Sequence, residues 1–102
     1  MIRLLVIDDD YFDIMAFKRF FKNIDTIELE TVQSISDAID KIKKSTFDIL
    51  ISDFNLKDGN AFELLEVKGN IPIVIITGVD SNQIDLEALK VGAYDFIVKD
   101  SK

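Results

Sequence analysis

Short apolar runs alternate five times with segments of helical periodicity, and this alternation constrains the fold more than any other feature of the sequence. The runs are short and rich in β-branched residues, as buried strands are. The predicted strands are Ile2–Ile7, Thr26–Val32, Phe47–Ser52, Ile71–Thr77 and Ala93–Lys99. Four helices are predicted. The first runs from Tyr11 to about Asn23, and the second is capped by Ser34 or Ser36 and ends at Lys44. The third runs from Ala61 to about Val67, and the fourth runs from Asn82 to Val91, with Gly92 as its C-cap. Strands and helices in this order form right-handed βαβ units, so an α/β fold with a doubly wound five-stranded parallel sheet is expected.

The first predicted helix has an unusually broad apolar face. Its apolar stripe consists of Phe12, Met15, Ala16 and Phe20. Three further apolar residues, Phe17, Phe21 and Ile24, widen this stripe. A helix with so wide an apolar surface is expected to pack deeply on a sheet. The aromatic residues are therefore predicted to belong to the core and not to a platform on which nucleic-acid bases stack.

The composition excludes several classes of function. A chain of 102 residues without cysteine or histidine forms one domain and has no disulfide, zinc site of the usual kind or histidine base. A net charge of −7 disfavours direct binding to nucleic acid or anionic membranes. No segment has the pattern of a signal peptide or a membrane span, so a cytoplasmic protein without membrane contact is expected.

Polar residues stand where four of the predicted strands end. Asp8, Asp9 and Asp10 follow the first strand, Asp53 follows the third, and Thr77 and Lys99 end the fourth and fifth. If the strand order is 2-1-3-4-5, the carboxylates of the first and third strands face each other at the topological switch point. Like charges about 4 Å apart repel by roughly 4 kcal/mol at an effective dielectric of about 20, so such a cluster needs a cation or raised pKa values of its carboxyl groups. Oxygen ligands with open positions favour Mg²⁺.

The same edge offers the groups needed for phosphoryl transfer. Aspartate can accept a phosphoryl group as an acyl phosphate, with a metal and a lysine stabilising the transferring charge. The ammonium of Lys99 and the hydroxyl of Thr77 are suited to contact phosphoryl oxygens. Either residue alone would be an ordinary surface lysine or strand threonine, and it is their common position at strand ends that favours a functional site.

Four segments in order carry a resemblance to a known family. They are Val6–Asp10, Ser52–Leu56, Ile75–Gly78 and Gly92–Lys99. Over nearly its whole length the chain resembles the receiver domain of two-component response regulators, the CheY-like superfamily. The resemblance implies a flavodoxin-like fold with strand order 2-1-3-4-5. It also implies a signalling switch that accepts a phosphoryl group from a histidine kinase or a histidine phosphotransfer protein and catalyses only its own phosphorylation and dephosphorylation.

Specific roles follow from this resemblance. Asp53 corresponds to the phosphoacceptor, and Mg²⁺ would be held by Asp8, Asp9, Asp53 and the backbone carbonyl of Asn55. Thr77 and Lys99 would contact the phosphoryl group, and Phe96 matches the aromatic residue that changes rotamer on activation. Asp10 is expected outside the first shell of the metal, as a candidate cap of the first helix.

The chain departs from the family pattern at three positions. Lys57 and Ala61 replace the usual proline and glycine in the loop after the acceptor, and Asp100 replaces the proline that normally follows the lysine through a cis bond. A non-proline cis bond costs about 2.5–4 kcal/mol, so the bond before Asp100 is either trans or strained. The departure at Asp100 leaves open a pseudo-receiver that acts as a phosphorylation-independent interaction module. The chemistry of the strand ends also leaves open a magnesium-dependent phosphatase with an aspartate nucleophile.

No helix is predicted after the fifth strand, because only Asp100, Ser101 and Lys102 follow it. We therefore expect a receiver domain over residues 1–102 that lacks the fifth helix of the family. A parallel sheet needs both faces covered. Either the chain belongs to a longer one, or a second copy or another partner covers the open face.

Overall fold

A computed structural model describes residues 1–78 and 95–99. The first elements are β1 (Ile2–Ile7), α1 (Tyr11–Phe21), β2 (Ile27–Val32), α2 (Ile35–Lys44) and β3 (Ile49–Asp53). They are followed by β4 (Asn55–Leu56), β5 (Gly59–Asn60), α3 (Phe62–Leu65), β6 (Ile73–Gly78) and β7 (Asp95–Lys99). The helix predicted from Asn82 to Val91, its C-cap Gly92 and the peptide bond before Asp100 lie outside the described residues.

Five strands form one parallel sheet in the order β2-β1-β3-β6-β7. Because β6 and β7 are the fourth and fifth predicted strands, the expected α/β fold with order 2-1-3-4-5 is confirmed. β2 is an edge strand, as its alternating sequence predicted. All strands of this sheet run the same way, so their carboxyl ends meet along one edge, called here the carboxyl edge.

The core lies around β1, α2 and the middle of the sheet. In β1 the four residues from Leu4 to Ile7 are all buried, so this strand is covered on both faces as predicted. In β3 only Leu50 and Ser52 are fully buried, while Ile49 and Ile51 on the opposite face are half-buried. This strand is therefore covered on both faces, but less completely on the side of Ile49 and Ile51.

The helix α1 presents a different face to the sheet from the one predicted. Only Ile14 is buried, whereas Phe12 is 80% and Phe20 is 72% exposed. The stripe of Phe12, Met15, Ala16 and Phe20, called here the outer face of α1, points to solvent. The sheet side is formed by Ile14 with the half-buried Phe17 and Phe21. Both faces of this helix are apolar, so periodicity alone could not tell which one would be buried.

The segment after β3 is a small hairpin, where the sequence predicted a loop. Strands β4 and β5 pair antiparallel around the turn residues Lys57 and Asp58. The following helix α3 has four residues and is shorter than predicted. Gly69 closes this region with a φ of 60°, the left-handed conformation expected of a glycine after a helix.

Candidate functional site

The register of β1 and β3 brings two aspartates level with each other at the carboxyl edge. Ile7 pairs with Ser52, so Asp8 follows β1 opposite Asp53, the last residue of β3. Asp9 continues from Asp8 along the same edge. The apolar strand pairing thus places carboxylates from distant parts of the chain side by side.

Asp8, Asp9 and Asp53 form a compact acidic group. One carboxylate oxygen from each lies within 4.8 Å of the other two. Asp8 is buried, and the other two are half-buried. Three carboxylate oxygens at this spacing, in a partly desolvated position, fit a hard divalent cation that keeps some of its waters.

Asp10 is not a member of this group, and its side chain caps α1. Its carboxylate accepts a hydrogen bond from the backbone N–H of Phe12 at 2.9 Å, which makes it the N-cap of the helix and confirms the candidate cap. The N–H of Asp10 itself donates to Asp8 Oδ1 at 2.9 Å. The start of α1 is therefore bonded directly to one member of the acidic group.

The backbone around Asp53 is held from both sides. The hydroxyl of buried Ser52 donates to the Asp53 carbonyl at 2.8 Å. The N–H of Phe54 donates to Asp53 Oδ1 at 3.0 Å and to the Ile76 carbonyl of β6 at 2.8 Å. These bonds fix the end of β3 against its neighbour and orient one oxygen of the Asp53 carboxylate.

The backbone pairing of β3, β6 and β7 gives the positions of the other predicted site residues, Thr77, Phe96 and Lys99. Asp53 pairs with Ile76, so Thr77 lies one residue beyond it on β6. Lys99 is the last residue of β7 and pairs with Gly78. Phe96 lies three residues earlier on β7, in register with Ile75. Both Thr77 and Lys99 therefore stand at the carboxyl edge, at the ends of the two strands beyond Asp53.

The hairpin after Asp53 contains the predicted ligand Asn55 and a residue that the sequence did not single out. Asp58, in the turn, accepts hydrogen bonds from the N–H groups of Ile35 and Ser36 at the start of α2, at 2.9 and 3.0 Å. These two bonds hold the pKa of the Asp58 carboxyl below its usual value. An Asp-Gly pair indicates a turn, but no sequence signal connects it with a helix that begins 23 residues earlier.

No helix within residues 1–78 has the length and apolar character needed to cross a membrane.

Comparison with known proteins gives consistent matches. The model of the family described as the response regulator receiver domain matches residues 4–102. The two-component response regulator ARR2 of Arabidopsis thaliana is 29% identical over 103 residues, which cover 96% of this chain and 15% of that protein. The protein-glutamate methylesterase/protein-glutamine glutaminase 3 of Vibrio cholerae is 30% identical over 102 residues, covering 95% of this chain and 28% of that protein.

A solved structure of a two-component response regulator from Clostridium difficile superimposes with a TM-score of 0.86. It is 26% identical, and the match covers 100% of this chain and 86% of that chain. The chain therefore spans most of this solved structure, but less than a third of the length of the two curated relatives named above.

Proposed function

The chain belongs to the response regulator receiver domain family, and on that premise we propose that it is a phosphorelay switch whose phosphoacceptor is Asp53. The observation that carries this proposal is the acidic group, in which oxygens of Asp8, Asp9 and Asp53 lie within 4.8 Å of one another. Asp53 is the member at the end of a sheet strand, with its backbone bonded on both sides. One oxygen of its carboxylate accepts the Phe54 N–H, so the side chain is oriented at the carboxyl edge.

Mg²⁺ is the proposed cofactor, held by Asp8, Asp9, Asp53 and the backbone carbonyl of Asn55. The three carboxylates fit a hard cation, and the net charge of −7 adds a favourable long-range field. When bound, the ion would neutralise charge that develops on the transferring phosphoryl oxygens.

In the proposed reaction, a carboxylate oxygen of Asp53 attacks the phosphorus of a phosphohistidine. The new O–P bond forms as the N–P bond breaks, and the departing imidazole nitrogen is protonated. Receiver domains of response regulators typically interact with histidine kinases or phosphotransfer proteins, and such a protein is the proposed donor. The chain has no histidine, so the phosphoryl group must come from outside these 102 residues.

The signal would pass from the phosphoryl group to Thr77, Lys99 and Phe96. The backbone positions of Thr77 and Lys99 support this proposal, because β6 ends beside Asp53 and β7 ends beside β6. Moving a two-state equilibrium from about 1:99 to 99:1 needs roughly 5.5 kcal/mol. Two or three hydrogen bonds to a charged group, at about 1.5–3 kcal/mol each, supply that amount.

A pseudo-receiver that works without phosphorylation is the second interpretation raised by the sequence. The complete acidic group argues against it, because an interaction module does not need three adjacent carboxylates. An esterase or phosphatase activity toward an external substrate is not part of the proposal. The methylesterase named above is a protein of which this chain spans 28%.

Incubation with Mg²⁺ and acetyl phosphate, followed by intact mass measurement, tests the proposal. A gain of one phosphoryl mass is expected for the parent protein, and no gain for Asp53→Asn or without Mg²⁺. Asp40→Asn is a matched control, since Asp40 is an exposed aspartate of α2 that pairs with Lys44. If the folded parent gains no mass, the phosphoacceptor function is wrong and the interaction module becomes the better explanation.

A further inference from the structure

The first three N–H groups of α2, which have no carbonyl acceptor within the helix, all donate to side chains. Ile35 and Ser36 donate to the two Asp58 oxygens, and Asp37 donates to Ser34 Oγ. The next N–H, that of Ala38, makes the ordinary helical bond to the Ser34 carbonyl. Ser34, one of the two serines predicted as possible caps, is the N-cap of α2. The carboxylate of Asp58 is therefore an addition from a different part of the chain.

Asp58 belongs to the hairpin that follows the proposed phosphoacceptor. The hairpin begins two residues after Asp53, and its two-residue turn contains Asp58. Each oxygen of the carboxylate accepts a hydrogen bond from one of two adjacent N–H groups, so two bonds hold the turn. The negative charge also lies at the positive end of the helix dipole, where it is favoured.

The helix α2 is a rigid support for this contact. Ile35, Ala38 and Ile42 are buried in the core, and Lys41 pairs with Glu30 of β2 at 2.8 Å. The base of the hairpin is held separately, by the N–H of Ala61 donating to the Phe54 carbonyl at 2.8 Å. The hairpin is thus closed at its base by this bond and held at its turn by α2.

We propose that Asp58 is a positioning residue for the metal site: by attaching the hairpin turn to α2, it holds Asn55 and Asp53 in the arrangement that binds Mg²⁺. This inference rests on the proposed function, since it assigns a role to Asp58 at the same site. It also predicts the reverse effect, because coupling between two sites is reciprocal. Mg²⁺ binding should therefore protect the Ile35 and Ser36 amides from hydrogen exchange.

If Asp58 only capped α2, its loss would have the same effect on Mg²⁺ affinity as the loss of the other cap, Ser34. Asp58→Ala and Ser34→Ala both remove caps from the same helix, but only Asp58 lies on the hairpin. Mg²⁺ affinity, measured by calorimetric titration without any phosphodonor, should fall roughly tenfold in Asp58→Ala, as is common when a supporting residue of a metal site is lost. In Ser34→Ala it should change by less than about twofold. Asp58→Asn keeps one acceptor oxygen, so it should fold and show an intermediate loss.

The outcomes separate the two proposals. If the parent binds Mg²⁺ and Asp58→Ala binds it equally well, or if Ser34→Ala loses as much affinity, the positioning role is wrong and the proposed function stands. If the parent shows no Mg²⁺ binding at all, both are overturned. Exchange at the Ile35 and Ser36 amides that slows with Mg²⁺ in the parent, and does not in Asp53→Asn, would support the coupling.

Discussion

Glu30 of β2 and Lys41 of α2 form an ion pair with 2.8 Å between Oε1 and Nζ. The second oxygen of Glu30 lies 2.7 Å from Nη2 of Arg3 on β1, so this carboxylate connects two strands and a helix. The hydrogen bond from Lys41 is the main cause that lowers the pKa of Glu30 below 4.5, and burial opposes it only in part. Arg3 lowers the same pKa further.

The stability of the fold should therefore depend on pH through Glu30. A carboxyl with a lowered pKa in the folded state stabilises the protein above its unfolded pKa, and this contribution is lost as pH falls through the folded value. The loss should occur below a pH of about 4.5, the ordinary pKa of the group. Urea unfolding across this range should show a smaller acid-induced decrease for Glu30→Gln than for the parent, by about 0.2–1 kcal/mol.

Glu28→Gln is the matched control for this pH experiment. Glu28 lies on the same strand and contacts the same arginine, but at 3.4 Å and with 52% of its side chain exposed. Its replacement should leave the acid-induced decrease close to that of the parent. An equal effect of the two variants would show that general surface charge, and not the Glu30 network, sets the pH dependence.

Replacement of the outer face of α1 should cost little stability. Phe20→Gln, at a residue that is 72% exposed, should change the free energy of unfolding by less than about 0.5 kcal/mol. Ile14→Ala, on the buried side of the same helix, should cost about 2–5 kcal/mol. Urea unfolding compares the two directly, and a cost for Phe20→Gln that approaches that of Ile14→Ala would contradict the assignment of the buried face.

Mg²⁺ should stabilise the fold against unfolding. A ligand that binds only the folded state adds about 1.4 kcal/mol for each tenfold excess over its dissociation constant. Thermal unfolding of the parent should therefore shift upward as Mg²⁺ is added and return when it is chelated. Asp9→Asn and Asp53→Asn should lose most of this shift, while Asp40→Asn should keep it. A shift of equal size in all variants would mean that Mg²⁺ acts on the general surface charge.

Gly69 should be sensitive to substitution for a backbone reason alone. Its φ is 60°, and a Cβ at this position would have no neighbour within 4 Å, so crowding plays no part. Gly69→Ala should cost about 1–2 kcal/mol, the usual penalty for a left-handed residue with a side chain. Gly69→Asn should cost less, because asparagine tolerates this conformation better. If urea unfolding shows equal costs for Gly69→Ala and Gly69→Asn, the left-handed backbone does not cause the loss of stability.

The sequence was sufficient to predict the sheet and its acidic edge. Apolar runs identify strands, and the position of Asp8 and Asp53 directly after two of them indicates one common edge whenever the strands are parallel. Each of these signals, an apolar run and the polar residue that follows it, is local in the sequence. A serine cap at the start of α2 was predictable for the same reason, although the sequence left open whether Ser34 or Ser36 would form it.

Other features depend on three-dimensional context. Phe12 and Ile14 are both apolar, and only the packing of α1 decides which one faces the sheet. The hairpin has an Asp-Gly pair, but its strands are so short that no alternation of residues could indicate them. The bonds from Asp58 to Ile35 and Ser36 join segments whose proximity results from the completed fold.

The strand order also affects how the protein can fold while it is being synthesised. β2 adds beside β1, β3 adds on the other side of β1, and β6 and β7 then add outward from β3. No strand has to insert between two that already pair, so each can join the sheet soon after it leaves the ribosome. The aspartates that form the acidic group come together once β3 pairs with β1, when the chain has emerged only as far as Asp53. The nascent chain can therefore bring these carboxylates together before β6 and β7 exist.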